Sequence, residues 1–407
     1  MWARFVADQR GGVAPIFALG LIPMIGLAGA AIDYSRATAA RTSMQAALDA
    51  TALMIAKDIQ ILPSNQVSSR ASELFNASFE RTDVQSLQVT ANVSSGSAGT
   101  TISANAGGSV GTTFMHLLGR TSVDISASAS VVTANDGLGC VLSLSPHASG
   151  AANAPGNAAI KLNGCSLYDN SDNATALTVG GSATLSADFV GVVGGVASTS
   201  GITATNGIRT RISPVVDPYA DVMMPAYGAC DEHNYTARNT VTINPGVYCG
   251  GISVNANAVL TLNPGLYVID GGGFTVNGGA TVTGSGVTLA FTSSSQKDWP
   301  TVTINGNATV NLTPMTYGPT KGIVVYGDRN MPAGTSFKFN GGANQYFAGA
   351  IYVPSGAINF AGGADTATTC TQVIGDTVTF VGNSNLAIDC SKYNTRPFST
   401  KTMRVSS

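Results

Sequence analysis

Apolar and polar positions follow three different rhythms along this chain, and each rhythm marks off a region. Residues 13–32 run for twenty positions without a charged side chain, the length of apolar helix that crosses the ~30 Å hydrocarbon core of a bilayer. Pro15 falls in the first turn of that run and Pro23 inside it, where membrane helices tolerate proline. The next stretch, DYSRATAARTSMQAALDATALMIAKDI (33–59), is rich in good helix formers. Its Met44, Leu48 and Ile55 are spaced by four and seven, one side of a helix. The pattern predicts a tail (1–12), a transmembrane helix (13–32) and a stem helix (33–62). A secretory signal would have a shorter apolar region, of about 7–15 residues, followed by small residues. Ala28-Gly29-Ala30 supplies such residues, but the length of the run and its helical continuation favour a retained anchor. Gly26 and Ala30 form a small-xxx-small pair suited to contact with another membrane helix, a spacing that a span so rich in Ala and Gly also produces by chance.

Residues 63–135 predict a small α+β domain. SNQVSSRASELFNASFERT (64–82) reads as a helix capped by Ser64 or Asn65. SLQVTANVS, TTISANAGGSV and TSVDISASASVV alternate at period two and read as strands. A short helix, TFMHLLG, separates the last two, stopping at Gly119, with His116 as a packing position.

From Asp136 the texture becomes short β-rich runs separated by Gly, Asn and Pro. VTINPGVYCGGISVNANA (241–258) is echoed by LTLNPGLYVIDGGGFTVNGGA (260–280), which places Pro245 and Pro264 19 residues apart, as are Tyr248 and Tyr267. Strand-sized runs at a period near 20 point to stacked coils that bury their apolar faces on one another. The prediction for residues 136–407 is a right-handed parallel β-helix (a β-solenoid), with an irregular β-sandwich as the alternative, so the chain as a whole is mainly β.

Charge and cysteine content narrow the function. Charged residues make up 10% of the 407 and the net charge is −2, against about 25% charged in ordinary domains. No basic face for nucleic acid is expected. No GxxxxGK[ST] phosphate loop occurs, no CxxC, and only three histidines, so no cofactor or metal is expected. Cys140, Cys165, Cys230, Cys249, Cys370 and Cys390 form an even set, which favours disulfides in an oxidising compartment. Fifteen connectivities are open, of which pairing sequence neighbours is one. Arg4 and Arg10 before the apolar run nearly balance Arg36 and Arg41 after it; the cysteine-bearing bulk on the oxidising side puts the tail in the cytoplasm. The densest acidic patch, VVDPYADVMMPAYGACDEHNY (215–235), holds Asp217, Asp221, Asp231 and Glu232. It is the best candidate for the carboxylate pair of a glycosidase or for a calcium site, and ordinary solvated loop charges are the plainer reading.

The stretch RFVADQRGGVAPIFALGLIPMIGLAGAAIDYSRATAARTSMQAALDATALMIA resembles the N-terminal region of TadG-like proteins of the tight-adherence (Flp) pilus systems. The resemblance rests on Arg10-Gly11, the VAPIFALGL run, the AIDYSR exit and the Ala-rich stem from Met44 to Met54. It implies a bacterial inner-membrane protein with a periplasmic ectodomain, partnered by other pilus-system subunits, that works in pilus assembly or adhesion; display at the cell surface or pilus tip is the alternative. Pilin-like members of such systems are cut after a glycine and carry glutamate at the fifth mature position. Here that position is Ile16 or Phe17. Other members carry a metal-binding DxSxS, and Asp124, Ser126 and Ser128 match those letters, but the alternation runs straight through them as a strand. The implied role is non-catalytic, and outward rows of Thr, Ser and Asn suit a surface glycan; a carbohydrate-active enzyme is the remaining alternative.

Overall fold

The computed structural model describes residues 13–58, 62–96, 99–342, 345–362, 370–387, 390 and 392–406. The expected tail (1–12) lies outside the described residues. The chain divides into two compact units, residues 1–135 with 401–407, and residues 136–400.

The first unit is built on one long helix. Helix α1 (Val13–Asp58) contains Pro23 and has Lys57 in its last turn, a cation suited to the negative end of the helix dipole. From Ala37 onward it buries one stripe, including Ala40, Met44, Leu48, Ala52 and Ile55. Helix α2 (Val67–Ser78) adds Val67, Ala71 and Phe75 to the same core. Contrary to the expected cap, Ser64 lies in a 3₁₀ turn (Ser64–Gln66) and α2 starts from Gln66 with no side-chain cap. Both helices belong to a core with a four-stranded antiparallel sheet: β1 (Val84–Gly96), β2 (Gly99–Gly111), β3 (Ser122–Asn135) and, beside β3, the C-terminal strand (Lys401–Ser406). The sequence reading puts residues 401–407 in the C-terminal domain. Residues 401–406 pair with β3 instead, with Lys401 opposite Asn135.

The N-terminal part of α1 is different. Phe17, Leu19, Met24, Ile25, Leu27 and Ile32 are exposed, and successive 100° steps spread them around the helix rather than along a stripe. Among the described residues no helix is long and apolar enough to cross a membrane. The side chains of residues 13–16, 18 and 22, within the expected span, lie outside the described residues.

In the second unit every described strand pair is parallel. The largest sheet has an unusual order. The chain enters at Gly139–Ser143 and steps outward through Ser166–Asp169 and Val190–Val192 to Ile208–Thr210 at one end. It then resumes at the other end with Glu232–Ala237, which pairs with Gly246–Val254. From there it steps back through Gly265–Asp270, Val287–Thr292, Ile323–Gly327 and Gly349–Gly362 to Thr371–Phe380. That last strand pairs with Gly139–Ser143, Val373 opposite Val141, so the sheet is joined in its middle. In a second sheet the late strand Ser384–Ala387 also pairs with an early one, Ala159–Asn163, there at the sheet's edge.

The sequence repeat is visible in these sheets. Val241–Ile243 pairs with Val259–Leu262, the Asn263 amide donates to Asn244 Oδ1 at 2.7 Å, and the rings of Tyr248 and Tyr267 stack at 5.9 Å. Three corners share the pattern NANA, NGGA and NGNA (255–258, 277–280, 305–308). In each, the alanine N–H donates back to the first Asn carbonyl, the alanine is buried, and the third residue is left-handed: Asn257 (φ 64°), Gly279 (φ 77°) and Asn307 (φ 64°). Glycine and asparagine are the residues that occupy that conformation at low cost.

Residues 211–231, between the two ends of the large sheet, form a strap along its outer face. Val215, Tyr219 and Val222 are buried with Leu142, Tyr168, Tyr326, Tyr352 and Ile374 in a second apolar layer. Central strands such as Gly139–Ser143, Val287–Thr292 and Ile323–Gly327 are therefore buried at every position, as expected of parallel strands covered on both faces.

Candidate functional site

The most specialised local geometry in the first unit lies where the charge-free part of α1 ends. Asp33 is buried, although a carboxylate is costly to bury unless its oxygens are bonded. Its carboxylate accepts the backbone N–H groups of Thr113 (3.0 Å), Phe114 (2.8 Å) and Met115 (2.8 Å). These N–H groups open the 3₁₀ turn Met115–Leu118, which stops at left-handed Gly119. The hydrogen bonds, the one from Met115 foremost, hold the Asp33 carboxyl below its ordinary range. One turn earlier, Gly29 makes room for Phe114: a Cβ there would collide with the Phe114 ring.

The stem continues the same docking. Arg36 Nη1 donates to Thr113 Oγ1 at 3.3 Å, Arg41 Nε to the Ser126 carbonyl at 3.1 Å, and Gln45 Nε2 to the Ser128 carbonyl at 2.9 Å. The C-terminal strand pairs β3 only along residues 130–135. Arg41 and Gln45 therefore occupy the edge of β3 that it leaves open, a position that otherwise invites pairing with another chain.

The remaining residues singled out in the sequence are dispersed or structurally engaged. Gly26 meets nothing of its own chain within 4 Å of a built Cβ, and Ala30 is half-buried. Asp124, Ser126 and Ser128 are exposed along one face of β3, with Ile125 and Ala127 buried on the other. His116 is exposed rather than packed. The six cysteines form Cys140–Cys165, Cys230–Cys249 and Cys370–Cys390, so the neighbour pairing is the one observed. His233 lies within 4.8 Å of the sulfurs of Cys230 and Cys249, but those sulfurs are bonded to each other and offer no thiolate.

The acidic patch is the strap, and its carboxylates fasten it. Asp217 Oδ2 meets Arg329 Nη2 at 2.8 Å and accepts the Tyr352 hydroxyl at 2.9 Å. Asp221 is paired with Arg396, whose hydrogen bond lowers the Asp221 pKa. Asp231 accepts the Val247 N–H at 2.8 Å beside the Cys230–Cys249 bridge. Glu232 opens the exposed end of the strand Glu232–Ala237. Between these fastenings the Tyr219 hydroxyl, whose pKa burial pushes up to about 12, donates to Gln372 Oε1 at 3.2 Å and accepts the Arg396 N–H at 3.0 Å. The carboxylates are thus spread along the strap on separate partners instead of facing one another across a cleft.

The outer face of the second unit carries a continuous polar ladder. Ser253, Thr275, Thr303, Lys338, Asn359, Thr379, Asn153 and Thr178 stand opposite one another across successive strands. Lys338 and Asn359 border an open depression with Asn340, Ala361 and Val381.

The cradle at Asp33 falls inside the segment that comparison with known proteins picks out. Residues 11–56 match the family model described as "Putative Flp pilus-assembly TadE/G-like". This segment is TadE/G-like. No curated protein and no solved structure matches the chain. The TadE/G-like segment coincides with α1 almost to its end, and its polar residues Asp33, Arg36, Arg41 and Gln45 are the ones that dock the helix onto β3 and the 113–118 turn. The AIDYSR exit signals Asp33 in the sequence, as a lone carboxylate directly after a charge-free run. Its partners eighty residues away carry no such signal.

Proposed function

We propose that the protein is a membrane-anchored, non-catalytic component of an Flp pilus system, acting in pilus assembly or surface adhesion. The observation that carries this reading is the TadE/G-like match over residues 11–56. The charge-free run of residues 13–32 supports the anchor. So does the ring of exposed Phe, Leu, Met and Ile side chains on α1, since a helix that is apolar all round belongs in a protein core or a bilayer. Three disulfides support an ectodomain in the periplasm or beyond. The parallel sheets, in which the chain returns to each sheet one strand further on, are read as the faces of a β-solenoid.

A non-catalytic role is favoured by the engagement of the strap carboxylates, which hold Arg329, Arg396 and a backbone N–H. The outward polar ladder suits a glycan or the surface of another subunit. Intact mass and fractionation of the protein from its own cells, without reducing agent, test the reading. A full-length chain in the inner membrane, six hydrogens lighter than its reduced form, is expected. A shortened chain recovered from sheared surface fibres would overturn the anchor and favour a pilus-tip adhesin.

A further inference from the structure

We infer that the turn Met115–Leu118, held by Asp33, is a second membrane-binding element that dips into the headgroup–acyl boundary beside α1. The inference rests on the anchor reading above and adds to it a contact that the sequence pattern does not predict.

Beside exposed His116, the turn presents apolar side chains where it has no need to. Phe114 is 36% exposed and Leu118 69% exposed, on a surface loop between two strands whose outward positions are largely Ser, Thr, Asn, Asp and Gly. Its height along α1 is set by two independent contacts. Asp33, the first charged residue after the apolar run, takes the three N–H groups at the start of the turn. Phe114 lies on Gly29, four residues or about 6 Å further toward the N-terminus at 1.5 Å per residue. The turn is thereby level with the last residues of the charge-free run, which include exposed Ile32.

Charge follows the same line. Arg36, which donates to Thr113, and Arg120, just past the turn, are both exposed, as headgroup-level cations are. Asp33 would be expensive at that depth as a bare carboxylate, but its oxygens are already satisfied by backbone donors. The occupant that fits an apolar turn continuous with an apolar helix and bordered by arginines is the bilayer itself. Among the described residues of this loop, Phe114 and Leu118 are the exposed large apolar side chains.

Depth-dependent fluorescence separates the possibilities. Starting from full-length Trp2→Phe protein, in which Trp299 gives the baseline, three variants are prepared: Leu27→Trp, Leu118→Trp and Glu73→Trp. Each is reconstituted into phosphatidylethanolamine–phosphatidylglycerol vesicles with and without lipid brominated on its acyl chains. The inference expects the added fluorescence at 27 and at 118 to be quenched at least twofold more than that at 73, with blue-shifted emission at 118. Quenching at 27 with position 118 behaving like position 73 would overturn the membrane-binding turn and leave the anchor standing. No quenching at 27 would overturn the anchor and this inference together.

Discussion

A backbone with positive φ at Asn257, Gly279 and Asn307 makes the three corners unusually selective about one residue each. A Cβ at Gly279 would lie 2.8 Å from Asn257 Oδ1, and the left-handed conformation costs a β-carbon residue about 1–2 kcal/mol. Gly279→Val is therefore expected to lower unfolding stability by about 2 kcal/mol, and Asn257→Gly to change it by less than about 0.5 kcal/mol, both read from urea midpoints. Buried phenols give a second residue-scale prediction. Burial pushes the hydroxyls of Tyr219, Tyr248 and Tyr326 up to about 12, while an unfolded tyrosine titrates near 10. Between those values the unfolded chain loses protons that the folded chain keeps, so stability is full below pH 10 and falls as pH rises toward 12. The slope is about 1.4 kcal/mol per pH unit for each such phenol. Alkaline titration of the melting temperature should show this loss, and Tyr219→Phe should make it shallower.

At the scale of elements, the strap is a connection whose burial depends on a few polar fastenings. Arg329 is two-thirds buried, so Asp217→Ala strands its charge and leaves the Tyr352 hydroxyl only its longer acceptor, the Tyr219 carbonyl at 3.3 Å. Breaking a fully buried pair costs 3–5 kcal/mol; the partial exposure here reduces the expectation to about 2 kcal/mol. The double variant Asp217→Ala, Arg329→Met should recover at least half of that in the same urea titration, and equal losses in both would show that the pair does not fasten the strap. The strap also shows where the sequence stops being readable. Period-two runs, the 19-residue repeat and the N-x-[GN]-A corners are local, so mainly parallel β structure is legible before any coordinates. The two-way winding is not, because strand order between distant segments leaves no periodic trace. Asp217 and Asp221 accordingly look like a reactive cluster in sequence; each is committed to an arginine more than a hundred residues away. Asp33 is the reverse case, an unremarked letter in a motif that turns out to organise the helix exit.

At the scale of the whole molecule, residues 136–400 are an insertion between two neighbouring strands of the first unit. Asn135 and Lys401 face each other in an antiparallel pair. A two-residue Asn-Gly link is the short connection such a pair accepts. Replacing residues 136–400 by Asn-Gly should leave the first unit with a single cooperative thermal transition, and residues 136–400 expressed alone should melt cooperatively too; a non-cooperative melt of either would contradict their independence. The central join between Gly139–Ser143 and Thr371–Phe380 also has a consequence for how the molecule is made. Chains emerge from the ribosome N-terminus first, so the strap exists before most of the sheet it will cover. The edge at 139–143 waits for more than two hundred residues to be synthesised before its partner arrives. A chain stopped at residue 362 would carry two raw parallel edges, 139–143 and 349–362, the kind of surface on which neighbouring nascent chains pair with each other. Pairing of the strand Thr371–Phe380 with both edges is thus the step that ends a self-associating intermediate, and the cell has reason to shield the polypeptide until then.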